Sequence, residues 1–317
     1  MKQSTVIIVS IVCVISALFL IPANNLNLFD FSYPQLTNQS KQILQNQNNT
    51  LMVLASTIED ELNQAIDILN ITARDPAVSN TLYANNISTK YMGIPEDQDV
   101  SKRLIAKEIM IIDKDFENVY FLLPNGNVYI GEPYENQKLL PRLNYADRDW
   151  YKGISGLVMS ATSKDQNKTN INTQNSLAYV SSVFMSSSIN KPAIGIAIPV
   201  YDNNWKTSKP SLLGYWVGIL TLDKFQKIID SLNLANGQRI IVFDHNGTAL
   251  IDSSINDSTK SNSKEKNLTS FYNLASVKNA LVGEKGIVTD TINGTKALSL
   301  YRSINAHSHT WGILFLL

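Results

Sequence analysis

Residues 118–131 read NVYFLLPNGNVYIG and residues 240–251 read IIVFDHNGTALI. Each is a short apolar run, an Asn-Gly pair and a second short apolar run. Aligning Gly126 with Gly247 sets Val128, Tyr129 and Ile130 over Ala249, Leu250 and Ile251. Asn-Gly between apolar runs predicts a hairpin closed by a type I′ turn, because both central residues must take positive φ. One such hairpin is a weak signal, whereas its recurrence far along the same chain predicts two tandem α+β modules of similar design.

Upstream of the repeat, residues 5–21 (TVIIVSIVCVISALFLI) are unbroken apolar sequence preceded by Lys2. These 17 residues are near the lower limit for crossing a hydrocarbon core of ~30 Å. Two readings compete: an uncleaved transmembrane anchor and a cleaved signal peptide. The absence of a small-x-small cleavage site before Asn24 favours the anchor. With Lys2 inside, everything after residue 22 is expected outside the cytoplasm, with the membrane itself as one partner.

Composition agrees with an exterior location. Asn-x-Ser/Thr acceptors stand at Asn38, Asn48, Asn70, Asn86, Asn167, Asn246, Asn256, Asn267 and Asn293, the density of a glycosylated surface protein. Part of that density follows simply from a chain rich in Asn, Ser and Thr. The one cysteine, Cys13, lies inside the apolar stretch, so no disulfide can form within the chain. Basic and acidic residues balance at 27 each, with no basic patch interleaved with aromatics, which argues against nucleic acid as a partner.

Between residues 36 and 80, Leu51, Leu54, Ile58, Leu62, Ala65, Ile66 and Leu69 recur at spacings of three and four, predicting a long helix with one apolar stripe. Such a stripe packs along its own domain or forms a homodimer seam. Pro76 is expected to end or kink the helix after Asp75. Residues 81–220 read mostly as strands and loops: after the first hairpin come apolar runs at 177–185, 193–200 and 212–222. Thr221 is placed to cap a short helix running to Leu234, which links to a second module with a helix near 270–282 and strands near 286–291, 296–302 and 310–316. The expected division is thus a tail (1–4), an anchor (5–22), a connector with long helix (23–80), a first module (81–222), a linking helix (223–237) and a second module (238–317).

The densest group of recognition-competent side chains is Asn144-Tyr145-Ala146-Asp147-Arg148-Asp149-Trp150-Tyr151. Arginine offers a planar fork of donors matched to a carboxylate, and Trp and Tyr supply apolar walls with polar handles. The same run could equally be structural, with Arg148 paired to Asp147 or Asp149 and Trp150 in a core.

The Arg148-x-Trp150-Tyr151 run after the first hairpin resembles the membrane-distal pocket of double Cache (dCache) sensor domains, the exterior part of many chemoreceptors and sensor kinases. The apolar anchor leading into a long helix, Asp75-Pro76, the run from Lys191-Pro192 to Pro199-Val200, and a smaller second module ending near Trp311 agree with it. The resemblance covers about residues 30–317 and implies two PAS-like antiparallel-sheet modules, with a small-molecule ligand in the membrane-distal one. In amino-acid-binding members the Arg-x-Trp-Tyr residues hold the ligand carboxylate, and two later aspartates hold its ammonium. Those aspartate positions fall near Ser186 and Ile219, neither of which can neutralise an ammonium, and Asp202, the one substitute, sits in a turn after Pro199; the resemblance is thus more consistent with a carboxylate ligand without a free α-amine. The ligand-binding residues it implies are Arg148, Trp150, Tyr151, Tyr145, Phe184, Ser186 and Ile219.

Other motifs are weaker. His307-x-His309 has metal-pair spacing but no acidic or Cys third ligand nearby, and reads as an exposed strand end. No nucleophile elbow, zinc-protease helix or phosphate loop is present, and no histidine stands near Ser181-Ser182 or Ser186-Ser187-Ser188 in sequence. Neither an enzyme nor a cofactor is expected. The competing function is a surface glycoprotein using the same fold for adhesion or assembly. Residues 311–317 suffice for a last strand and not for a second span, so a receptor with inward output is expected either to continue beyond residue 317 or to signal through a partner or the single anchor.

Overall fold

A computed structural model of the chain describes residues 38–164, 177–186, 191–202, 211–254 and 268–317. The tail, the anchor and Cys13, together with Asn167, Asn256, Asn267, Ser187 and Ser188, lie outside the described residues. No helix among those described is long and apolar enough to cross a membrane. Residues 1–45 and 46–317 form separate compact units.

Both Asn-Gly stretches are hairpins: β1 (Phe116–Leu122) with β2 (Val128–Glu132), and β7 (Arg239–Phe243) with β8 (Ala249–Asp252). The turn type differs from the sequence expectation. Gly126 N donates to Leu123 O (2.8 Å) and Leu123 N to Asn127 O (2.9 Å); Gly247 and Asp244 repeat the pattern at 2.9 Å each. Only the glycines take positive φ (+85° and +73°), not the asparagines. These are three-residue loops with an αL glycine rather than type I′ turns. The residues before Asn-Gly decide this. Pro124 has its φ locked negative, and the Asp244 carboxylate accepts the N–H groups of Asn246 and Thr248, both at 2.9 Å, which builds a turn around itself. A two-residue loop with both φ positive occurs instead at Asn293-Gly294 (+51°, +81°).

The repeat extends to whole sheets. The first runs β2-β1-β6-β5-β3 and the second β8-β7-β11-β10-β9, with every adjacent pair antiparallel. Here β3 is Tyr179–Val180, β5 Pro192–Tyr201, β6 Leu212–Thr221, β9 Lys285–Ile292, β10 Thr295–Ala306 and β11 His309–Leu316, while the short β4 (Phe184–Met185) also pairs with β5. The architecture is α+β.

Helix α1 (Asn38–Ala73) ends three residues before Pro76, where the Asp75 carboxylate accepts the Ala77 N–H. Its apolar stripe from Leu51 to Leu69 is buried within the chain. Thr72 Oγ1 accepts the Trp216 indole N–H of β6 (3.1 Å), Glu61 pairs with Lys224, and Glu59 accepts the Asn305 N–H of β10 (2.6 Å), so one helix braces both sheets. The stripe read as a candidate dimer seam is therefore already occupied by the chain's own sheets.

Residues 81–220 hold more helix than the sequence reading expects: α2 (Val100–Ile112), α3 (Tyr134–Lys138) and α4 (Asp149–Lys164). Helix α2 buries Arg103, which donates to the Glu132 carboxylate (2.8 Å), and Lys102, 3.0 Å from Asp99 and over the rings of Phe121 and Tyr129. Burial lowers the Lys102 ammonium to about 8, against the pull of Asp99. Between the modules, α5 (Asp223–Asp230) is capped by Leu222 without a side-chain bond; Thr221 is still strand. Helix α6 (Ala275–Leu281) is shorter than expected.

Candidate functional site

Alternation along β1 sends Val119 and Phe121 toward Lys102 and places Asn118, Tyr120 and Leu122 on the opposite face. There they floor a cavity of about 470 Å³, counting its open mouth. Val128, Leu140 and Ile219 add aliphatic wall; Tyr145, Trp150 and Phe184 add aromatic wall; Ser186 and Arg148 complete it.

Arg148 sits one residue before α4. Its guanidinium carbon lies 5.8 Å from the centroids of both Tyr145 and Phe184, within cation–π reach of each ring. The acid beside it is taken: Asp147 pairs with Arg142 at 2.6 Å, which holds the Asp147 carboxyl below its usual range. Asp149 is also committed, accepting the Tyr179 hydroxyl (2.9 Å) and the Ser182 N–H (2.7 Å). No carboxylate lines the cavity, so among its described lining residues Arg148 is the sole charge. Burial pushes the Tyr145 phenol up, partly offset by Arg148 and Arg142, so it remains a neutral donor. Trp150 stacks on Tyr145 (6.4 Å, 21°) and lies flat against Gly195, where a Cβ would come 2.6 Å from its Cδ1.

Six of the seven residues named from the sequence thus meet at one cavity: Tyr145, Arg148, Trp150, Phe184, Ser186 and Ile219. Tyr151 does not line it. Its hydroxyl donates to Pro124 O (2.5 Å) and its ring meets Tyr215 edge-on, which ties α4 to the first hairpin turn. Asp202, the substitute considered for the amine side, is likewise not among the lining residues. Asn118, Tyr120, Leu122, Val128 and Leu140 were not legible as site residues. The signal that could have found Asn118, Tyr120 and Leu122 is the i, i+2, i+4 face of β1; Val128 on β2 and Leu140 after α3 carry no such signal.

The second module has the same skeleton with different contents. Tyr145 N donates to Gly126 O (2.8 Å) and Phe271 N to Gly247 O (2.7 Å), and α4 and α6 each begin four residues later. In this frame Leu274 and Ser276 stand where Arg148 and Trp150 do. The start of α6 is filled from within: Asp290 of β9 accepts the Ala275 N–H (2.9 Å) and the Ser276 hydroxyl.

Two serine and histidine readings change. Ser182 Oγ is 3.2 Å from His245 Nε2, a neighbour that sequence distance hid. The backbone N–H groups of Ser182 and Val183 are spent on Asp149 and Asp244, so neither serves as an oxyanion donor. His309 is not an exposed strand end; it is half-buried and stacked on His245 at 3.8 Å.

A family model described as Cache domain, of the double (dCache) type, matches residues 36–316. The chain belongs to the double Cache family. Among curated proteins no relative matches it. Solved Cache structures share the fold with this Cache chain. The ligand-binding domain of the Pseudomonas aeruginosa PAO1 chemoreceptor PctB, in complex with L-Arg, is 14% identical, covers 87% of this chain and 95% of its own, and superposes with a TM-score of 0.57. The Pseudomonas fluorescens CtaA domain with L-leucine gives 14%, 89%, 97% and 0.54. The Campylobacter jejuni Tlp3 domain with 4-methylisoleucine gives 15%, 88%, 93% and 0.51.

Proposed function

We propose that this chain is the extracytoplasmic sensing portion of a membrane-anchored receptor and that it binds a small carboxylate lacking a free α-amine in the first, membrane-distal module. The observation that carries this is Arg148: a cation in a largely aromatic and aliphatic cavity, with no lining carboxylate to neutralise it. A guanidinium in a partly dry site pairs with a carboxylate through two charge-assisted bonds. The related structures named above carry amino acids, which supports a small ligand of similar size. At Ser186 and Ile219, where the family resemblance puts the ammonium-binding aspartates, this chain offers a hydroxyl and a methyl-rich wall. The second module stays empty in this reading, because Leu274 and Ser276 replace the arginine and tryptophan and Asp290 occupies the start of α6.

Calorimetric titration of the purified chain with short organic acids and with the matching L-amino acids tests the proposal. The deaminated acids should bind and the amino acids should not. Arg148→Ala should weaken binding by about 30- to 5000-fold, the range for truncating one partner of a buried charge pair. Asp202→Ala should leave affinity near that of the parent. Tight binding of ordinary L-amino acids over their deaminated analogues would show the amine site misassigned.

A further inference from the structure

The segment carrying β3 and β4 belongs to the first sheet, yet it is fastened to the second module. Val180 N donates to Ser308 Oγ (3.0 Å) in the β10–β11 turn, and Val183 N to Asp244 Oδ2 (3.0 Å) in the β7–β8 turn. Ser182 Oγ meets His245 Nε2 at 3.2 Å and accepts the Asn246 amide at 2.7 Å. Across these contacts His309 lies flat on His245, centroids 3.8 Å apart at 17°, with the edge of Tyr179 at 4.9 Å. The turn presenting His309 holds His307 at φ +58°, a conformation that a residue with a Cβ rarely adopts. His245 Nδ1 and His309 Nε2 are buried without a hydrogen-bond partner. A proton added to either ring therefore meets no acceptor at that nitrogen.

The titratable groups facing the pair come from four places. Asp149 at the start of α4 is bonded to Tyr179 and Ser182, Tyr179 comes from β3, Asp244 from the β7–β8 turn is spent on backbone N–H groups, and His307 stands exposed on the β10–β11 turn. Burial and then His245 push the His309 imidazole below its ordinary value, while Asp149 pulls it up.

We propose that the stacked His245–His309 pair is a proton-operated latch between the two modules, closed while His309 is neutral and released when His309 takes up a proton. Two imidazolium rings at stacking distance repel, and a single proton at the buried nitrogens loses hydration without gaining a bond. The sign follows from the depressed affinity of His309. The closed form binds the proton more weakly than the open form, so the latch is at full strength above the ordinary histidine value of about 6.5 and weakens as pH falls through the depressed one. The inference stands on the junction alone, independent of what the cavity binds.

Spin labels at Met159→Cys on α4 and Asn293→Cys on the β9–β10 turn, both exposed, report the distance between modules in a Cys13→Ser background. For one proton, the open-to-closed ratio should rise by up to about tenfold per pH unit, so a longer or broader distance component should appear reversibly between about pH 7.5 and about pH 5.5. His309→Phe, which stacks but does not titrate, should hold the high-pH distribution at both values. An unchanged distribution in the parent, or a full pH response in His309→Phe, would overturn the latch. As a measurement without junction variants, the His309 ring proton resonance in the unsubstituted chain should titrate below the ordinary histidine value, with the Val180 and Val183 amides shifting at the same midpoint. A midpoint at the ordinary value, or amides that do not follow it, would equally refute the latch.

Discussion

Gly195 is a cavity residue although it lends no atom to the cavity wall. The Trp150 indole occupies the space a side chain there would take, and from that position it stacks on Tyr145 beside Arg148. Gly195→Val should force the indole off the sheet. Overpacking of this kind costs about 1–3 kcal/mol, and ligand affinity should fall although Arg148 is untouched. Urea unfolding, near-ultraviolet dichroism and a ligand titration check this; unchanged stability with unchanged affinity would show that the glycine does not set the tryptophan. The adjacent Arg148, Trp150 and Tyr151 show where sequence reading stops. Three neighbours in a row look like one constellation, but α4 begins at Asp149, and successive helical residues point about 100° apart at 3.6 residues per turn. Trp150 therefore faces the cavity while Tyr151 turns to Pro124.

Helix α2 was hidden for a related reason at the scale of an element. Beside Ala106 and Ile109 it buries Lys102 and Arg103, and it exposes Val100, Leu104, Ile111 and Ile112, which breaks the pattern on which helix recognition relies. The buried charges are held by specific partners. Arg103 donates to Glu132, to the Gln137 side chain and to the carbonyls of Gly131, Ile94, Pro95 and Gln98. Arg103→Ala should cost about 3–5 kcal/mol, because it leaves the fully buried Glu132 carboxylate with only the half-exposed Lys107, 3.7 Å away. The double replacement Arg103→Met with Glu132→Gln should recover part of that loss, since no charge is then left stranded. Denaturant midpoints of the parent, Arg103→Met, Glu132→Gln and the double variant decide it; additive losses would argue against a coupled pair. By contrast the α1 stripe, with ordinary amphipathic spacing, was legible throughout.

For the molecule as a whole, α1 reaches the first sheet through Trp216, the linking helix through Lys224 and the second sheet through Asn305, and the β3–β4 segment ties the first module to the turns of the second. Residues 38–317 should lie outside the cell if residues 5–21 anchor the chain. Protease added to intact cells should then digest this region, and glycan, where present, should be found at exposed acceptors such as Asn86 and Asn293. A protected region, or recovery from the cytosol, would reverse the placement. The sequence by itself determined the duplicated hairpin, the long amphipathic helix and the group around Arg148, because short-period patterns and turn residues act between neighbours along the chain. Turn type lay at the edge of that reach, since Pro124 and Asp244 outweighed Asn-Gly. Only the tertiary structure decided that Asn118 and Tyr120 floor the cavity, that Tyr151 leaves it, that Asp290 fills the equivalent place in the second module and that His245 meets His309. Those outcomes depend on which sheet faces and turns are brought together across chain separations from 14 residues, between Ser276 and Asp290, to 63, between Ser182 and His245, and local spacing carries no record of such pairings.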